Sequence, residues 1–540
     1  MIRFEGVTVV DGTGAPRYTA DVTVAGERIA RIERDRGAAS GVSTRRAAAA
    51  QPAGVVDASA LVLSPGFIDM HAHADLALLS DPAQEAKVSQ GVTTQVIGQD
   101  GLAYAPVDDA TLALIRRQIA GWNGDLPGGV FRWRDVAGLL RQLDLTPLGT
   151  NAAYLVPQGN LRLLTVGSED RPATAAQVDR MRGLLADGLT AGAVGMSSGL
   201  TYTPGMFAST RELEALCVVV GDLGGYWAPH TRGYGRGALD AFAEVIGIGM
   251  RTGCPVHLTH ATMNFAANQG RAAELLSLID DALATGADIT LDTYPYLPGS
   301  TTLAALLPGW AHAGGPDETL ARLDDAAQLE RMREALDVTG SDGAHGEVVD
   351  WSAIQISGVG DPELEPAVGR TVAEWADLRG MDATSAALEL MRVDRLGTGI
   401  LMHVGDEDNV RAIMQHAEHC AGSDGILVGG RPHPRAWGTF ARYLGHYTRE
   451  LGVLTLEECV RHLAGTPARR LGLTDRGVIR EGAVADLVLF DAGKVIDRAT
   501  FAEPRLPAAG IVDVLVNGEY ALRDGVRTPA ATGVVLRSGT

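Results

Sequence analysis

Residues 66–79, GFIDMHAHADLALL, end an apolar run with two histidines one residue apart. Successive side chains of a strand point to opposite faces, so His71 and His73 should point the same way, and Asp69 with them. Two imidazoles on one buried face are costly unless something pairs with them. The stretch therefore predicts a buried strand that ends either in a pair of metal ligands or in two hydrogen-bonded histidines.

The composition limits the class of protein. The chain has 540 residues, more than one ordinary domain, and 46% of them are hydrophobic, which is enough for a large core. Its 46 basic and 66 acidic residues give a net charge of −20. This balance argues against a nucleic-acid partner, because phosphate binding needs basic patches.

The sequence gives no sign of export or of a membrane span. No apolar stretch reaches the ~18 residues that a span needs. The start, MIRFEGVTVVDGTG, has no basic segment followed by an apolar one. The four cysteines lack C-x-x-C spacing, which is typical of reduced thiols. We expect a cytoplasmic protein with no membrane or nucleic-acid partner, and its oligomeric state stays open.

The middle of the chain alternates apolar strand-like runs with helical patterns, which favours parallel β/α units. With the strand that carries His71 the candidates number about nine, close to the eight strands of a (β/α)8 barrel. The other candidate strands lie at 93–98, 150–156, 193–199, 225–230, 255–260, 288–296, 399–404 and 425–430.

The two ends of the chain differ from the middle. Residues 1–62 show short strands with turns between them, and 482–491 and 512–520 are strand-like as well. We predict that residues 1–62 and 480–540 form one small β domain beside a barrel of residues 63–479. Residues 299–365 break the alternation and predict an insertion over the barrel mouth, either a lid or a decorative loop. Residues 37–54 are low in complexity and predict a loop.

Polar side chains recur where the candidate strands end. The carboxyl ends of barrel strands share one mouth, and barrel active sites lie there. Imidazole together with carboxylate is a ligand set that suits zinc and similar divalent metals. The sequence therefore predicts that one metal centre is formed by His71, His73, Asp100, His230, His260 and Asp424.

Ordered motifs along nearly the whole chain carry a resemblance to a known family. They are PGFIDMHAHAD (65–75), QGVTTQVIGQDGLAYAPV (90–107), AVGMSSGLTYTPGMFAS (193–209), APHTRG (228–233), LTHATMN (258–264), LDTYPYLPGST (291–301), GSDG (422–425) and RPHPRAWGTFARYLGHY (431–447). With these motifs the chain resembles the amidohydrolase superfamily, and more closely its D-aminoacylase, or N-acyl-D-amino-acid deacylase, family.

The resemblance implies a zinc-bearing (β/α)8 TIM-like barrel with a small β-sandwich built from both chain termini. It implies hydrolysis of the amide bond of small-molecule N-acyl-D-amino acids to a carboxylate and a D-amino acid. The cofactor would be zinc or another divalent metal, as one or two ions. By position, His71 and His73 would bind one ion, and His230 and His260 the other.

The same resemblance implies roles for further residues. Asp424 would contact the metal and act as the general base and then as the acid. Tyr202 would lie near the reacting carbonyl. The residues that would hold the substrate carboxylate are Tyr294, Ser300 and Arg435.

Two positions depart from the family pattern. GQDG (98–101) stands where the family usually has GNCG, so Asp100 replaces a metal-binding cysteine. Other amidohydrolases bridge two metals with a carbamylated lysine, but the chain has only Lys87 and Lys494, and neither position suits a bridge. Asp100 is then either a bridging carboxylate or a residue that orients a histidine from behind. THAT (259–262) replaces SHHK, which leaves Arg435 to grip a substrate carboxylate.

The leading hypothesis is a metal-dependent amide hydrolase of the D-aminoacylase type. A dipeptidase and a cyclic-amide hydrolase are alternatives, because they use similar metal sites. A non-catalytic barrel is a third alternative, since fold alone does not fix function. Every predicted ligand position holds a residue that can bind a metal, which favours the enzyme.

Overall fold

The computed structural model describes residues 1–34 and 54–539. The predicted loop at 37–54 therefore lies, up to residue 53, outside the described residues. Within the described ranges, every helix is too short or too polar to cross a bilayer.

Strands and helices alternate along most of the chain. The strands are β1 (Ile2–Val9), β2 (Tyr18–Ala25), β3 (Arg28–Arg34), β4 (Val55–Asp57), β5 (Val62–Pro65), β6 (Phe67–Asp69), β7 (Ala72–His73), β8 (Val92–Ile97), β9 (Asn151–Pro157), β10 (Gly195–Gly199), β11 (Tyr226–His230), β12 (Val256–Leu258), β13 (Ile289–Thr293), β14 (Gly299–Thr302), β15 (Ile354–Gly358), β16 (Gly399–Met402), β17 (His419–Ala421), β18 (Gly425–Ile426), β19 (Leu487–Phe490), β20 (Ile511–Val516), β21 (Glu519–Arg523) and β22 (Val526–Arg527). The α-helices are α1 (Ala77–Ser80), α2 (Glu85–Val88), α3 (Asp109–Gln118), α4 (Ala120–Asn123), α5 (Val136–Asp144), α6 (Gln158–Leu163), α7 (Ala175–Thr190), α8 (Thr210–Asp222), α9 (Ala238–Thr252), α10 (Ala272–Ala284), α11 (Gly309–His312), α12 (Pro316–Leu323), α13 (Ala326–Glu334), α14 (Val372–Arg379), α15 (Ala383–Val393), α16 (Glu407–Met414), α17 (Arg435–Arg442), α18 (Leu456–Val460) and α19 (Thr466–Arg470).

Eight parallel strands form the barrel, in the order β17-β13-β12-β11-β10-β9-β8-β6. The first and last strands meet at their carboxyl ends, where β7 pairs in parallel with β18. The backbone amide of Met70 also donates to the carbonyl of Ala421 at 3.2 Å, and that of Asp424 to the carbonyl of His71 at 2.8 Å. The barrel is thus closed directly below the predicted metal ligands, and the predicted (β/α)8 fold is confirmed.

The local sequence explains these elements. Every residue of β8, β9 and β10 is buried, as expected for parallel strands covered on both faces. The helices outside them bury one apolar stripe. Helix starts are capped by side chains, for example by Asp135 before α5, Ser209 before α8, and Thr174 in a capping box with Gln177 at α7.

A second sheet joins both ends of the chain. Its order is β22-β21-β20-β19-β5-β1-β2-β3, with β4 paired to β1, and most pairs are antiparallel. Apolar side chains from both ends share its core, among them Phe4, Val22, Leu63, Leu487 and Leu515. The terminal β unit that the resemblance implied is present. The boundaries at residues 62, 63, 479 and 480 stay a prediction.

The insertion lies between β13 and β17 and has a core of its own. It contains the antiparallel sheet β14-β16-β15 and helices α11 to α15, so it extends to Met402, beyond the predicted 299–365. The candidate strand at 399–404 is therefore wrong as a barrel strand, because β16 pairs antiparallel with β14 and β15. The eighth barrel strand is β17. It is only three residues long, and no apolar run in the sequence marks its position.

Candidate metal centre

All six predicted metal ligands lie at the carboxyl ends of barrel strands and meet at one mouth. Each follows or closes a strand, and each is buried. The ligands with their elements are His71 and His73 at β6 and β7, Asp100 after β8, His230 at the end of β11, His260 after β12, and Asp424 between β17 and β18.

Four of these residues form a first ligand group. His71, His73, Asp100 and Asp424 each offer one ligand atom, and these atoms lie within 4.8 Å of one another. His73 Nε2 lies 3.1 Å from Asp424 Oδ1 and 3.6 Å from Asp100 Oδ2. His71 Nε2 lies 3.6 Å from Asp100 Oδ1 and 3.7 Å from Asp424 Oδ1. Both imidazoles thus reach the same two carboxylates, but the expectation that Asp69 shares their face is wrong, because Asp69 Oδ2 accepts from Lys87 Nζ at 2.7 Å instead.

A second ligand group consists of Asp100, His230 and His260. Each offers one ligand atom, and these atoms also lie within 4.8 Å of one another. His230 Nδ1 lies 3.8 Å and His260 Nε2 3.7 Å from Asp100 Oδ1. The two ring nitrogens lie 3.0 Å apart, and His230 Nε2 is held by the hydroxyl of Thr201 at 2.7 Å. Asp100 belongs to both groups, which is the position that a bridging carboxylate requires.

Three of the ligands have a left-handed backbone. Asp100 has φ 53°, His260 φ 29° and Asp424 φ 47°. Such conformations are uncommon for residues with a Cβ, and they cluster where a fold must aim a side chain at a functional site. Each lies just after a barrel strand, so the strained residue turns its side chain across the mouth.

Charge is unevenly distributed across the cluster. Burial opposes the charged form of His71, but the carboxylates of Asp100 and Asp424 outweigh it and raise its pKa well above the ordinary value. Burial also opposes the charged form of Asp100, yet His71 and neighbouring histidines hold the pKa of that carboxyl well below its usual range. Burial lowers the pKa of His230, and the nearby His260 lowers it further. The cluster therefore attracts positive charge, which a proton or a metal cation can supply.

The donor set fits a divalent metal. Both ring nitrogens of His71 and Oδ1 of Asp100 are buried and have no hydrogen-bond partner in the part of the chain that the structure describes. Buried polar atoms without partners are rare and call for an explanation. Imidazole nitrogens and carboxylate oxygens are the ligands that zinc and similar metals take. These residues could hold one cation in either group, or two cations that share Asp100.

Asp292, at the end of β13, supports the cluster from behind and was not predicted. Its Oδ1 accepts the backbone amide of His260 at 2.9 Å, and its Oδ2 lies 2.9 Å from His257 Nε2. The same Oδ2 lies 3.8 Å from His71 Nδ1. A carboxylate behind a ligand histidine fixes the orientation of the ring. The sequence gave only a weak signal, an acidic residue in the middle of the candidate strand 288–296.

The other predicted site residues surround the same cleft. The Tyr202 ring lies 4.8 Å from the His230 ring, and its hydroxyl lies 3.1 Å from Thr301 Oγ1. Tyr294 and Ser300 line the cleft together with the ligands. Arg435 begins α17 and is fully buried.

Arg435 lies behind the cleft rather than in its lining. Its Nη2 is 2.9 Å from Asp424 Oδ2, and its guanidinium lies 4.4 Å from the centre of the Tyr294 ring. Its Nε and Nη1 are buried and have no hydrogen-bond partner among the described residues. The Nε–H and Nη1–H groups can each donate to an oxygen acceptor, such as a carboxylate oxygen.

Three aromatic residues at the site were not predicted from the sequence. Trp122 places its ring 5.5 Å from that of His73, and Tyr234 lies 5.0 Å from His230 and 5.1 Å from His260. His345 comes from the insertion, lines the cleft, and lies 5.5 Å from the Tyr234 ring. Trp122 and His345 follow no candidate strand, and Tyr234, four residues after the candidate strand 225–230, carries no side chain typical of a metal ligand, so the sequence gave no signal for them.

A closed parallel barrel that gathers imidazoles and carboxylates at its mouth defines a metal-dependent barrel hydrolase. The comparisons agree, because residues 54–521 match the amidohydrolase family. The chain belongs to the amidohydrolase family, and the resemblance found in the sequence is confirmed.

Three relatives are similar to the chain over nearly its whole length. N-acyl-D-glutamate deacylase of Alcaligenes xylosoxydans xylosoxydans is 38% identical over 519 residues, which are 95% of this chain and 92% of the relative. D-aminoacylase of the same organism is 35% identical over 98% of this chain and 96% of its own. A crystal structure of N-acyl-D-glutamate deacylase from Bordetella bronchiseptica, complexed with zinc and a phosphonate inhibitor, superposes with a TM-score of 0.81 at 35% identity over 99% of both chains.

Proposed function

We propose that the protein is a metal-dependent hydrolase that cleaves the amide bond of N-acyl-D-amino acids to a carboxylate and a D-amino acid. The observation that carries the proposal is the position of Asp424. One of its oxygens faces the ligand cluster through His73, and the other faces the buried fork of Arg435. Asp424 thus lies between the groups that would activate water and the group that would hold a substrate carboxylate.

The residues that would hold the metal are His71, His73, Asp100, His230, His260 and Asp424. A divalent cation bound there would lower the pKa of a water molecule to about 7 and polarise the amide carbonyl. The chain's own side chains would then provide proton transfer, charge stabilisation and substrate positioning.

Asp424 is suited to act first as a base. Burial opposes its ionisation, but Arg435 and His71 outweigh it and keep the pKa of the carboxyl below its usual range. Asp424 is therefore ionised at neutral pH and can accept a proton from water. The protonated carboxyl can then give the proton to the leaving nitrogen, which departs as the amine of the D-amino acid.

Tyr202 is suited to donate to the oxyanion. Burial raises the pKa of its hydroxyl, and the charge of Asp100 raises it further, so the hydroxyl stays protonated. The hydroxyl lies 3.1 Å from Thr301 Oγ1, and both residues line the cleft. A fixed donor stabilises the charge that develops on the carbonyl oxygen.

Three residues would hold the substrate carboxylate. Arg435 offers two buried donors without partners among the described residues, and Tyr294 and Ser300 line the cleft beside it. A carboxylate that accepts from these residues would place the adjacent amide at a fixed distance from the cluster. The positive charge of Arg435 favours substrates with a free α-carboxylate.

We also propose that the enzyme acts in the cytoplasm without a nucleic-acid or membrane partner. The net charge of −20 and the four free, buried cysteines support this proposal. The substrate class is a small molecule, as in the solved relative that binds a phosphonate inhibitor.

The test compares substrates on the purified protein loaded with Zn²⁺. We expect hydrolysis of N-acetyl-D-amino acids and at least ~100-fold lower kcat/KM for the L-isomers, for D-containing dipeptides and for hydantoins. Asp424→Asn should lower kcat by at least about 10³-fold while the protein stays folded. Preferential hydrolysis of dipeptides or hydantoins would favour the corresponding alternative instead.

A further inference from the structure

We propose that a second cavity, separate from the catalytic cleft, binds a small organic carboxylate with an aromatic or apolar body, and that this ligand raises the turnover of the metal centre. The second cavity lies where the barrel meets the insertion. Its lining comes from α3, α4 and the segment after β10 on one side, and from β14, α11 and α12 on the other. The binding site does not depend on the proposed function, whereas the effect on turnover rests on it.

The second cavity is large enough for a small molecule. It encloses about 730 Å³ of space between protein atoms, its open mouth included, which is within the usual range of ligand pockets. Leu102, Trp122 and Leu396 contribute apolar surface, and Ser168 and Thr201 contribute hydroxyl groups. Such a mixture suits a ligand that combines an apolar body with one polar group.

The charge of the second cavity favours an anion. Arg117 and Arg395 line it, and none of its lining residues within the described part of the chain is acidic. The catalytic cleft has the opposite character, since Asp100 and Asp424 line it and no described lysine or arginine does so. In a chain with a net charge of −20, the second cavity is thus a local positive region that attracts anions.

Arg395 has the free donors that a carboxylate needs. Its side chain is exposed, and among the described residues its guanidinium makes no hydrogen bond and no close ion pair. Arg117 is already paired with Asp317, through hydrogen bonds of 2.7 and 3.0 Å. Arg395 has φ 51° and Leu396 has φ 70°, and two successive left-handed residues must be held by their surroundings. The loop after α15 therefore presents a guanidinium that can hold a carboxylate with two hydrogen bonds.

An aromatic wall separates the second cavity from the catalytic cleft. Trp122 and Tyr202 line both spaces, and their rings meet edge to face with centroids 4.7 Å apart. On the cleft side, the Trp122 ring lies 5.5 Å from the His73 ring and the Tyr202 ring 4.8 Å from the His230 ring. A ligand in the second cavity would therefore contact the back of two side chains whose front faces the metal ligands.

The ligand should act on turnover through Tyr202. The Tyr202 hydroxyl is the proposed donor to the oxyanion, and such a donor is most effective when it is fixed before the reaction. An occupant packed behind the Trp122–Tyr202 pair fills the space into which the two rings could move. We therefore expect kcat to rise. KM should change less, because Arg435 and Tyr294 would hold the substrate carboxylate elsewhere in the site.

Equilibrium dialysis on the Zn²⁺-loaded protein tests the binding. The probe is phenylacetate, and 2-phenylethanol is its neutral analogue. We expect phenylacetate to bind with a Kd on the order of 1 mM, as for a ligand of this size. We expect the alcohol to bind at least ~10-fold more weakly, because it lacks the charge.

Two arginine variants locate the bound probe. Arg395→Gln should weaken phenylacetate binding by at least ~5-fold. Arg392→Gln is the matched control, because Arg392 is also exposed, lies three residues earlier and does not line the cavity, so this variant should bind as the wild type does. Both variants keep every metal ligand, so a difference between them reports the second cavity. Equal binding by the two variants overturns the inference.

A filled cavity gives an independent test. Ala305 is half-buried and lines the second cavity, so Ala305→Phe places a ring in the space that the probe would use. We expect this variant to lose the part of phenylacetate binding that depends on Arg395, while Ala305→Ser retains it. Unchanged binding in the phenylalanine variant, with its folding checked by thermal unfolding, contradicts the inference.

The effect on turnover is measured with saturating N-acetyl-D-methionine, which keeps phenylacetate away from the metal ions. We expect kcat to rise by at least about 2-fold in the wild type and in R392Q, and by less in R395Q at the same phenylacetate concentration. An unchanged or lower kcat in the wild type overturns the coupling between the second cavity and the metal centre.

The two proposals fail in different ways. A protein that hydrolyses N-acetyl-D-amino acids, but binds phenylacetate equally well as R395Q and as R392Q, overturns the inference and leaves the deacylase function standing. A protein that shows Arg395-dependent binding of phenylacetate, but hydrolyses none of the N-acetyl-D-amino acids, overturns the proposed function and leaves the binding site standing.

Discussion

Lys87 Nζ lies 2.7 Å from Asp69 Oδ2, and both side chains are completely buried. The same ammonium donates to Ser423 Oγ at 2.8 Å, while Asp69 Oδ1 accepts the backbone amides of Ser423 at 2.8 Å and His71 at 3.3 Å. The pair thereby joins the end of the first barrel strand to the end of the last. The Lys87 ammonium is used in this ion pair. This agrees with the prediction that Lys87 does not bridge two metal ions.

Removal of the Lys87 charge should destabilise the barrel and disturb the metal site. Lys87→Met leaves the Asp69 carboxylate buried and unpaired, which costs about 3–5 kcal/mol of unfolding free energy. We expect a lower metal content as well, because His71 and Ser423 lose their fixed anchor. Denaturant unfolding and metal analysis measure the two effects.

The chain provides its own control in its other lysine. Lys494 is exposed and pairs with Asp491 on the surface, so Lys494→Met should leave stability and metal content unchanged. The double variant Lys87→Met/Asp69→Asn should recover part of the lost stability, since it removes both charges. Equal stability of the Lys87 and Lys494 variants would show that the buried pair is unimportant.

Asp100 should control how many metal ions the protein holds. It is the residue common to both ligand groups, so Asp100→Ala removes a ligand from each. We expect at least one equivalent of metal to be lost and kcat to fall by at least ~100-fold. Asp100→Cys supplies one ligand atom and should retain at least one ion. Full metal content and rate in the alanine variant would make Asp100 a residue that only orients its neighbours.

Tyr202 should affect the rate rather than binding or stability. Tyr202→Phe removes one donor to the developing oxyanion, which is typically worth ~3–4 kcal/mol, or roughly 10²–10³ in kcat. The metal content and the thermal midpoint should stay unchanged. Tyr520→Phe, in the terminal sheet, is the control for loss of a tyrosine hydroxyl far from the site. A raised KM with unchanged kcat would assign Tyr202 to substrate binding instead.

The barrel and its ligands could be predicted because each ligand closes or follows a strand. The carboxyl ends of all barrel strands lie at the same mouth, so residues at these ends meet there. His71 and His230 illustrate this, since both end buried apolar runs. The strand at 399–402 was misassigned because an apolar strand in an insertion sheet has the same pattern as one in the barrel. The true eighth strand was missed because its residues, His419, Cys420 and Ala421, do not form the strongly apolar run that marks other barrel strands.

Other parts of the site depend on contacts that no local pattern reveals. His345 reaches the cleft from the insertion, at a left-handed residue between α13 and β15. Trp122 lies on a four-residue helix, α4, and contacts His73 only because α4 folds back over the mouth. Packing between distant segments decides such positions.

Chelation of the metal should destabilise the protein through the ligand cluster. A cation that binds only the folded chain stabilises it by RT ln(1 + [L]/Kd), about 4.1 kcal/mol at a concentration of 1,000 Kd. Removal of Zn²⁺ with a chelator should therefore lower the unfolding free energy by several kcal/mol, because Asp100 and Asp424 lose the cation that balances their charges. It should also abolish hydrolysis, because no cation remains to activate water. Addition of Zn²⁺ should restore both properties. The Asp100→Ala variant serves as the control, and its stability should change much less on chelation. An unchanged unfolding curve for the chelated wild-type protein, with full loss of its metal confirmed by analysis, would mean that the cluster holds its shape without a cation.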